Sequence, residues 1–298
     1  MSPAPFRART WAQRLVGEKV LAYLLHLRPM EWPIMSAHFL LGTLLAVGLN
    51  ARLRVVILAW LVFVVLLNGG TLAINSAFDQ DEGDIGYLKA PPKPPAHLLA
   101  FSVILHGAGV LLAFLLPLPF ALIVLACTVM SVLYSVPPVR LKARAGWDLL
   151  INCIGFGLLT PLAGWAITGR AFSPAVLWAG SGFALLFATL YPMTQIYQVT
   201  EDRQRGDLTL VIRLGVGKSL GLALGMAVLA HILFSCALVA MGRSPLPLLL
   251  SFLGWLGVIL PWLLRWQAWT DAQHEAGMYW GLGAWAVTDL SLLIIMWP

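Results

Sequence analysis

Most of the chain consists of long apolar runs separated by short polar connections. A helix needs about 20 apolar residues to cross a bilayer, and in hydrocarbon it is one of the few structures that satisfies every backbone polar group. Nine runs approach this length. They cover residues 32–49, 55–78, 97–116, 118–136, 147–168, 175–198, 218–241, 245–265 and 276–297. The pattern predicts an all-α polytopic membrane protein with nine transmembrane helices, formed as one domain over residues 1–298.

The composition supports this interpretation and argues against a nucleic-acid-binding protein. Apolar side chains make up 60% of the 298 residues and charged ones only 11%, whereas a soluble domain has about a quarter. Lys and Arg exceed Asp and Glu by 19 to 13, but the basic residues are scattered through short connections between the runs. We therefore interpret the positive charge as a determinant of membrane topology and expect no nucleic-acid partner.

The distribution of Lys and Arg predicts the orientation. If the N-terminus is cytoplasmic, 15 of the 19 Lys and Arg residues fall on the cytoplasmic side, and Arg52, Arg54, Arg170 and Arg243 fall on the other. Residues 1–30 are basic and amphipathic, which is typical of a segment on the membrane surface or of a basic flank that fixes orientation. We expect an integral protein of a bacterial inner membrane, with its long polar loops, residues 80–96 and 199–217, in the cytoplasm.

The most informative polar stretch follows the second apolar run. Asn75 and Asp79 are four residues apart and so share a helix face, and Asp81 and Asp84 come soon after. Acidic residues are unfavourable at the C-terminal end of a helix, where the dipole is already negative. A metal ion resolves this conflict, since Mg²⁺ prefers carboxylate oxygens together with substrate phosphates.

A second acidic cluster follows the sixth run. Gln198 and Asp202 are again four residues apart, with Glu201 beside them. If both runs end on the same side of the membrane, the two clusters face the same compartment. Together they predict a shared site for a divalent metal and a diphosphate.

Basic residues reach the same side from two other loops. Arg140 and Lys142 follow the fourth run, and Lys89 precedes the proline-rich segment 91–95, which cannot continue a helix. By themselves these residues are ordinary helix stops that obey the charge rule. Beside two acidic clusters they are also candidates to hold phosphate oxygens.

Several polar side chains lie inside the apolar runs and must find partners within the bundle. Asn152 lies in the fifth run, and His106 and His231 lie in the third and seventh. Asp289 lies in the ninth run, where an ionised carboxylate is costly to bury. For the two histidines, a hydrogen-bonded interior imidazole is the simplest interpretation.

These motifs together resemble the UbiA superfamily of intramembrane prenyltransferases. That family has an Asn-Asp-x-x-Asp-type motif after the second helix and an Asp-x-x-x-Asp-type motif after the sixth. Further matching pieces are the segments 28–32 (RPMEW), 134–138 (YSVPP) with Lys142, 206–210 (GDLTL) and 213–215 (RLG). The likeness covers nearly the whole chain.

The resemblance implies nine helices around a central cavity with a cytoplasmic polar cap. It also implies Mg²⁺-dependent transfer of a prenyl group from an allylic isoprenyl diphosphate to an acceptor within the membrane. The predicted catalytic metal ligands are Asn75, Asp79 and Asp202. Further predicted metal ligands are Asp81, Asp84, Gln198 and Glu201. The predicted substrate-binding residues are Lys89, Arg140, Lys142, Gln198 and Asn152.

The chain departs from the family pattern, which indicates a divergent branch. Ser76 stands where Asp is usual, Gly83 where the last Asp of the first motif is expected, and Gln198 where the second motif begins with Asp. A Gln offers a neutral carbonyl oxygen but no charge.

We expect a small lipophilic acceptor, and an aromatic one such as a hydroxybenzoate or quinone precursor is the first choice. Within the same class of enzyme, a tetrapyrrole acceptor or a terpene cyclisation reaction is the alternative. Two other classes of function remain open. An ion-coupled transporter would predict internal repeats and charge at the bilayer midplane, and neither is evident in the sequence. A catalytically inactive relative that binds lipid would explain the substitutions at Ser76 and Gln198.

Overall fold

The structure is a computed structural model that describes residues 4–79, 88 and 90–296. The α-helices are α1 (Ala4–Val16), α2 (Glu18–His26), α3 (Trp32–Val47), α4 (Leu53–Trp60), α5 (Gly69–Asp79), α6 (Leu98–Ala113), α7 (Leu118–Ser135), α8 (Trp147–Asn152), α9 (Thr160–Ala166), α10 (Pro174–Ile196), α11 (Val199–Arg205), α12 (Leu210–Leu214), α13 (Val216–Ala240), α14 (Leu248–Arg265) and α15 (Asp271–Met296). The described residues form no β-sheet, and the all-α prediction is confirmed.

Several helices join into longer spans. Eight helical segments of the described chain are long and apolar enough to cross a membrane. They are Glu18–Val47, Leu53–Asp79, Leu118–Ser135, Trp147–Ala166, Pro174–Ile196, Val216–Ala240, Leu248–Ala268 and Asp271–Met296. The remaining predicted span, the third run at 97–116, corresponds to α6, which is apolar but has only 16 residues. The polytopic membrane architecture is therefore confirmed, while the count of nine spans stays a prediction.

The outer surface of the bundle suits a lipid environment. Large apolar side chains such as Leu111, Leu264 and Ile294 are 70–80% exposed on three different helices. A soluble protein rarely exposes so much contiguous apolar surface. Lipid contact explains it, and the chain is an integral membrane protein.

Two spans contain π-helical turns that the hydrophobic pattern did not predict. Leu61–Asn68 connects α4 to α5, and Cys153–Leu159 connects α8 to α9. A π turn adds one residue per turn and therefore rotates the side chains that follow it. Asn75 follows the first of these turns, which therefore helps set the direction in which its amide points, whereas Asn152 directly precedes the second turn.

The polar connection 199–217 was predicted as a long loop, and this prediction was wrong in part. It contains the short helices α11 and α12, separated by Gly206 in the left-handed conformation (φ 75°). A left-handed glycine is a common helix terminator because it lacks a Cβ. The helix end places Asp202 and Asp207 close together, on either side of the turn. The proline-rich segment 91–95 is non-helical, as predicted.

Small residues allow two spans to cross closely. An added Cβ on Gly42 would lie 1.9 Å from the carbonyl oxygen of Pro161, and one on Gly164 would lie 1.8 Å from that of Phe39. At the same crossing Thr43 donates a hydrogen bond of 2.9 Å to the Gly164 carbonyl. Close backbone approach of this kind is how membrane helices associate where burial from water does not drive them together.

Gly164→Ala tests the α3–α9 crossing. The new methyl group would force the two helices apart, and overpacking of this kind costs about 1–3 kcal/mol. We expect a lower unfolding temperature in detergent. Gly221→Ala on α13 is the matched control, since its Cβ would meet nothing within 4 Å. Equal unfolding temperatures for the two variants would contradict the crossing.

The predicted orientation can be checked by chemical labelling. Gln204 on α11 and Arg170, between α9 and α10, are both exposed. In a background without native cysteines, we expect Gln204→Cys to react with an impermeant maleimide only from the cytoplasmic side, and Arg170→Cys only from the other. The reverse labelling pattern would invert the predicted topology.

Candidate active site

A large cavity of about 440 Å³ runs into the bundle from the end that carries α11, α12 and the 137–146 connection. We call this the polar end. Its wall is built mainly by α3, α5, α7, α10 and α15. Polar and charged side chains line the mouth, and aromatic and aliphatic side chains such as Phe63, Phe156 and Phe187 line the deeper part. This arrangement matches the predicted central cavity with a polar cap.

The first acidic cluster lies at the end of α5, where Asn75 and Asp79 face the cavity on one side of the helix. Lys142 reaches them from the connection after α7. Its Nζ donates a hydrogen bond of 2.6 Å to Asn75 Oδ1 and forms an ion pair with Asp79 Oδ1. The side chains of Lys142 and Asp79 are each only 9% exposed. Asn75 and Asp79 therefore lie on one helix face, as predicted, and their Oδ1 atoms both contact the Lys142 ammonium group.

Arg140 connects this cluster to the second one. Its Nη2 contacts Asp79 Oδ1 at 3.4 Å. The same guanidinium forms a bidentate ion pair with the Asp207 carboxylate, with Nη1 2.5 Å from Oδ1 and Nη2 3.3 Å from Oδ2. Arg205 Nε contacts Asp207 Oδ2 at 3.6 Å, and the Arg205 guanidinium also donates a hydrogen bond of 2.7 Å to Asp202. Acidic and basic groups thus alternate across the mouth of the cavity.

Asp202 is the most buried of the predicted ligands in the second acidic cluster, with 5% of its surface exposed. Burial raises the pKa of its carboxyl above the ordinary value, the hydrogen bond from Arg205 lowers it, and repulsion from Asp207 and Glu201 raises it again. A carboxylate in this environment gains more than an exposed one from an added cation. The site therefore favours a positively charged ligand near Asp202.

A buried network holds the loop that carries Asp207. Asp148 on α8 is fully buried, and its Oδ2 accepts hydrogen bonds from Gln195 Nε2 at 2.7 Å and from the Leu210 backbone N–H at 3.1 Å. Its Oδ1 accepts one from the Gly146 N–H at 2.7 Å. Three donors satisfy one carboxylate, which fixes the start of α12 against α8 and α10.

The remaining predicted residues are placed as follows. Gln198 and Glu201 line the cavity beside Asp202. Asn152 also lines it, and its Nδ2 donates to the Asp148 carbonyl at 2.7 Å. Asp81, Asp84 and Lys89 lie outside the described residues. Within the described part of the chain, no three His, Cys, Asp or Glu side chains gather closely enough to hold a metal by themselves.

Sequence reasoning missed several charged residues of the site. Asp207 and Arg205 lie at its centre, and Arg28 and Glu31 line the mouth as an ion pair at 3.5 Å. Asp207 was visible in the sequence as part of the GDLTL segment, five residues after Asp202. No helical spacing connects the two residues, because Gly206 ends α11 between them.

Comparison with known proteins identifies the family of the chain. The model of the UbiA prenyltransferase family matches residues 35–283. Among curated proteins, the chain is similar to the digeranylgeranylglyceryl phosphate synthase of Natronomonas pharaonis. The two are 27% identical over 268 residues, which cover 85% of this chain and 90% of the relative.

Solved structures show the same fold. A UbiA homologue from Archaeoglobus fulgidus bound to DMAPP and Mg²⁺ has a TM-score of 0.66 at 18% identity, covering 90% of this chain and 99% of that one. A digeranylgeranylglyceryl phosphate synthase has a TM-score of 0.70 at 17% identity, covering 93% and 98%. An apo UbiA homologue from Aeropyrum pernix K1 has a TM-score of 0.61 at 22% identity, covering 89% and 98%.

The family match spans most of the chain, including both acidic clusters and the basic residues between them. It confirms the resemblance inferred from the sequence motifs and the prediction of a prenyltransferase. The match gives no support to the ion-coupled transporter. The chain belongs to the UbiA prenyltransferase family.

Proposed function

We propose that this protein transfers a prenyl group from an allylic isoprenyl diphosphate to a small lipophilic acceptor, with Mg²⁺ as its cofactor. The observation that carries the proposal is the mouth of the cavity. There, Asn75 Oδ1 and Asp79 Oδ1 both contact the ammonium group of Lys142. Arg140 contacts both Asp79 and Asp207, and so connects the first acidic cluster to the second. An apolar space lies directly beneath.

The residues present fit a Mg²⁺–diphosphate complex. The described chain gathers no three acidic ligands at one point. Mg²⁺ usually takes one or two carboxylates and completes its shell with water and substrate phosphates. Asn75 with Asp79, and Asp202 with Asp207, each provide such a partial set. Mg²⁺ bound there would neutralise charge on the departing diphosphate.

The basic residues have a separate role in this proposal. Arg140, Lys142 and Arg205 lie between the carboxylates, and a diphosphate bound in the mouth would share their N–H groups with Asp79, Asp202 and Asp207. Charge-assisted hydrogen bonds to phosphate are stronger than neutral ones, and they orient the diphosphate. Asn152 lies deeper, beside the Tyr134–Tyr191 hydrogen bond of 3.0 Å, where the first isoprene carbons would lie.

The reaction follows from this placement. The bond between C1 of the prenyl group and the diphosphate oxygen breaks, and the acceptor bonds to C1. The acceptor loses one proton, which the departing diphosphate can accept. The rings of Phe187, Tyr191 and Trp285 face the cavity below the mouth, and ring faces stabilise a developing allylic cation.

We further propose that the acceptor is aromatic. Phe156 and Phe187 stack with ring centroids 5.6 Å apart and planes 11° apart on the cavity wall, which gives an aromatic lining suited to a planar acceptor. The similarity to a digeranylgeranylglyceryl phosphate synthase favours a second candidate, a lipid-forming alcohol phosphate. Labelled prenyl product formed only with the alcohol phosphate would overturn the aromatic proposal and leave the transferase standing.

Asp79→Asn and Asp202→Asn test the carboxylate roles. Each variant keeps the side-chain shape but removes a charge, and we expect diphosphate release from a panel of allylic diphosphates to fall about a hundredfold or more. Asp271→Asn, at the exposed start of α15, is the charge-matched control and should keep full activity. Unchanged release by either site variant would remove that residue from the metal site.

Asp148→Asn tests the loop network. The new amide N–H group would face donors on Gln195 or Leu210, and leaving a buried donor unpaired costs about 1–3 kcal/mol. We expect a lower unfolding temperature and a raised KM for the prenyl diphosphate, with a smaller change in kcat, because Asp207 and its arginines lose their fixed position. A loss of stability with KM unchanged would show that Asp148 only supports the fold.

A further inference from the structure

The cavity has a second polar site at its deep end. Asp289 and Trp285 on α15 and His38 on α3 all line the cavity. Trp285 packs against Phe187, nine residues before the end of α10, and His38 packs against Phe183, thirteen residues before it. At 1.5 Å per residue these contacts lie about 14–20 Å below the mouth.

The three side chains contact one another. Trp285 Nε1 donates a hydrogen bond to His38 Nε2, and Asp289 Oδ2 lies 3.2 Å from the same nitrogen. The other carboxylate oxygen, Asp289 Oδ1, is buried and has no hydrogen-bond partner among the described residues. Leaving a buried acceptor unpaired costs about 1–3 kcal/mol, so each such group requires an explanation.

The missing partner must be a hydrogen-bond donor. His38 Nε2 accepts from Trp285 and so has no hydrogen to donate, which means that the hydrogen between it and Asp289 Oδ2 belongs to the carboxyl group. Oδ1 is then the carbonyl oxygen of that group, and it accepts. A carboxylate deep in the membrane region is also unusual, and intramembrane ionisable residues commonly mark a ligand site. The Oδ1 atom therefore indicates a ligand that presents an O–H group to the cavity.

The ligand group is uncharged. The basic residues of the described cavity wall, Arg28, Lys142 and Arg205, lie near the mouth. His38 already pairs with Asp289. A charged group would have to leave water and pass the apolar middle of the cavity, which is costly. A neutral hydroxyl pays a much smaller desolvation penalty.

We propose that Asp289, held by His38 and Trp285, binds an uncharged hydroxyl group of the acceptor substrate. This inference rests on the proposed function, since the isoprenyl chain of the donor has no O–H or N–H group to offer. The acceptor then lies along the cavity with its reacting atom toward the mouth and its hydroxyl at Asp289. The acceptor that this site would bind is therefore a lipophilic molecule with a free hydroxyl group remote from the reacting atom.

A matched pair of probes tests the site without turnover. The probes are 4-propylphenol and its methyl ether, 1-methoxy-4-propylbenzene, which lacks the donor. Binding to the purified protein in nanodiscs is measured by equilibrium dialysis, with empty nanodiscs to correct for partition into lipid. We expect the phenol to bind about fivefold more tightly than the ether, as one neutral hydrogen bond provides. No preference in the unmodified protein would overturn the proposal.

Substitutions at Asp289 test whether this residue is the source of the preference for the phenol over the ether. Asp289→Asn keeps a carbonyl oxygen for the ligand and an amide N–H for His38, so it should retain the preference. Asp289→Leu should abolish it, and Asp289→Ala serves as the second variant if the leucine form does not fold. Ser291→Ala removes a buried polar group from the same helix outside the cavity wall, and it should behave as the unmodified protein. A preference that survives in Asp289→Leu or Asp289→Ala would place the hydroxyl elsewhere.

The outcome is separable from that of the proposed function. A phenol preference lost in Asp289→Leu, without diphosphate release from any donor, would support the deep site and contradict the transferase. Prenyl transfer without a phenol preference would support the transferase and contradict the deep site.

Discussion

The arrangement of the cavity mouth depends on the contacts of the Lys142 ammonium group with Asn75 and Asp79. Carboxylates at a helix end oppose the helix dipole, and at this depth they also lose hydration. Lys142 offsets both effects by donating to Asn75 Oδ1 and pairing with Asp79. Arg140 and Arg205 do the same around Asp207. Each acidic group therefore has a basic neighbour before any ligand arrives.

This balance explains why the site suits a metal–diphosphate pair better than either alone. A lone divalent cation would meet the ammonium group of Lys142, and a lone diphosphate would meet Asp79 and Asp202. Together the two ligands bring charges of both signs, which can pair with both kinds of residue at once. The alternation of charge thus couples the binding of metal and substrate.

The sequence predicted the parts of this site that helical spacing connects. Asn75 and Asp79 could be assigned to one face because a single continuous helix carries them. Asp207 and Asp148 could not be placed, because their roles depend on the left-handed Gly206 and on hydrogen bonds between α8, α10 and α12. The π-helical turns also escaped prediction, since an apolar run looks the same whether its turns hold 3.6 or more residues. Most of the spans and the positions of the acidic clusters were predictable, whereas the contacts that join α8, α10 and α12 required the structure.

Calorimetric titration of Mg²⁺ into the purified protein, with and without a non-hydrolysable prenyl diphosphate analogue, tests the coupling most directly. The account predicts weak Mg²⁺ binding by the protein alone and at least tenfold tighter binding when the analogue is present, with the analogue binding poorly in chelator. Tight Mg²⁺ binding that does not depend on the analogue would contradict it.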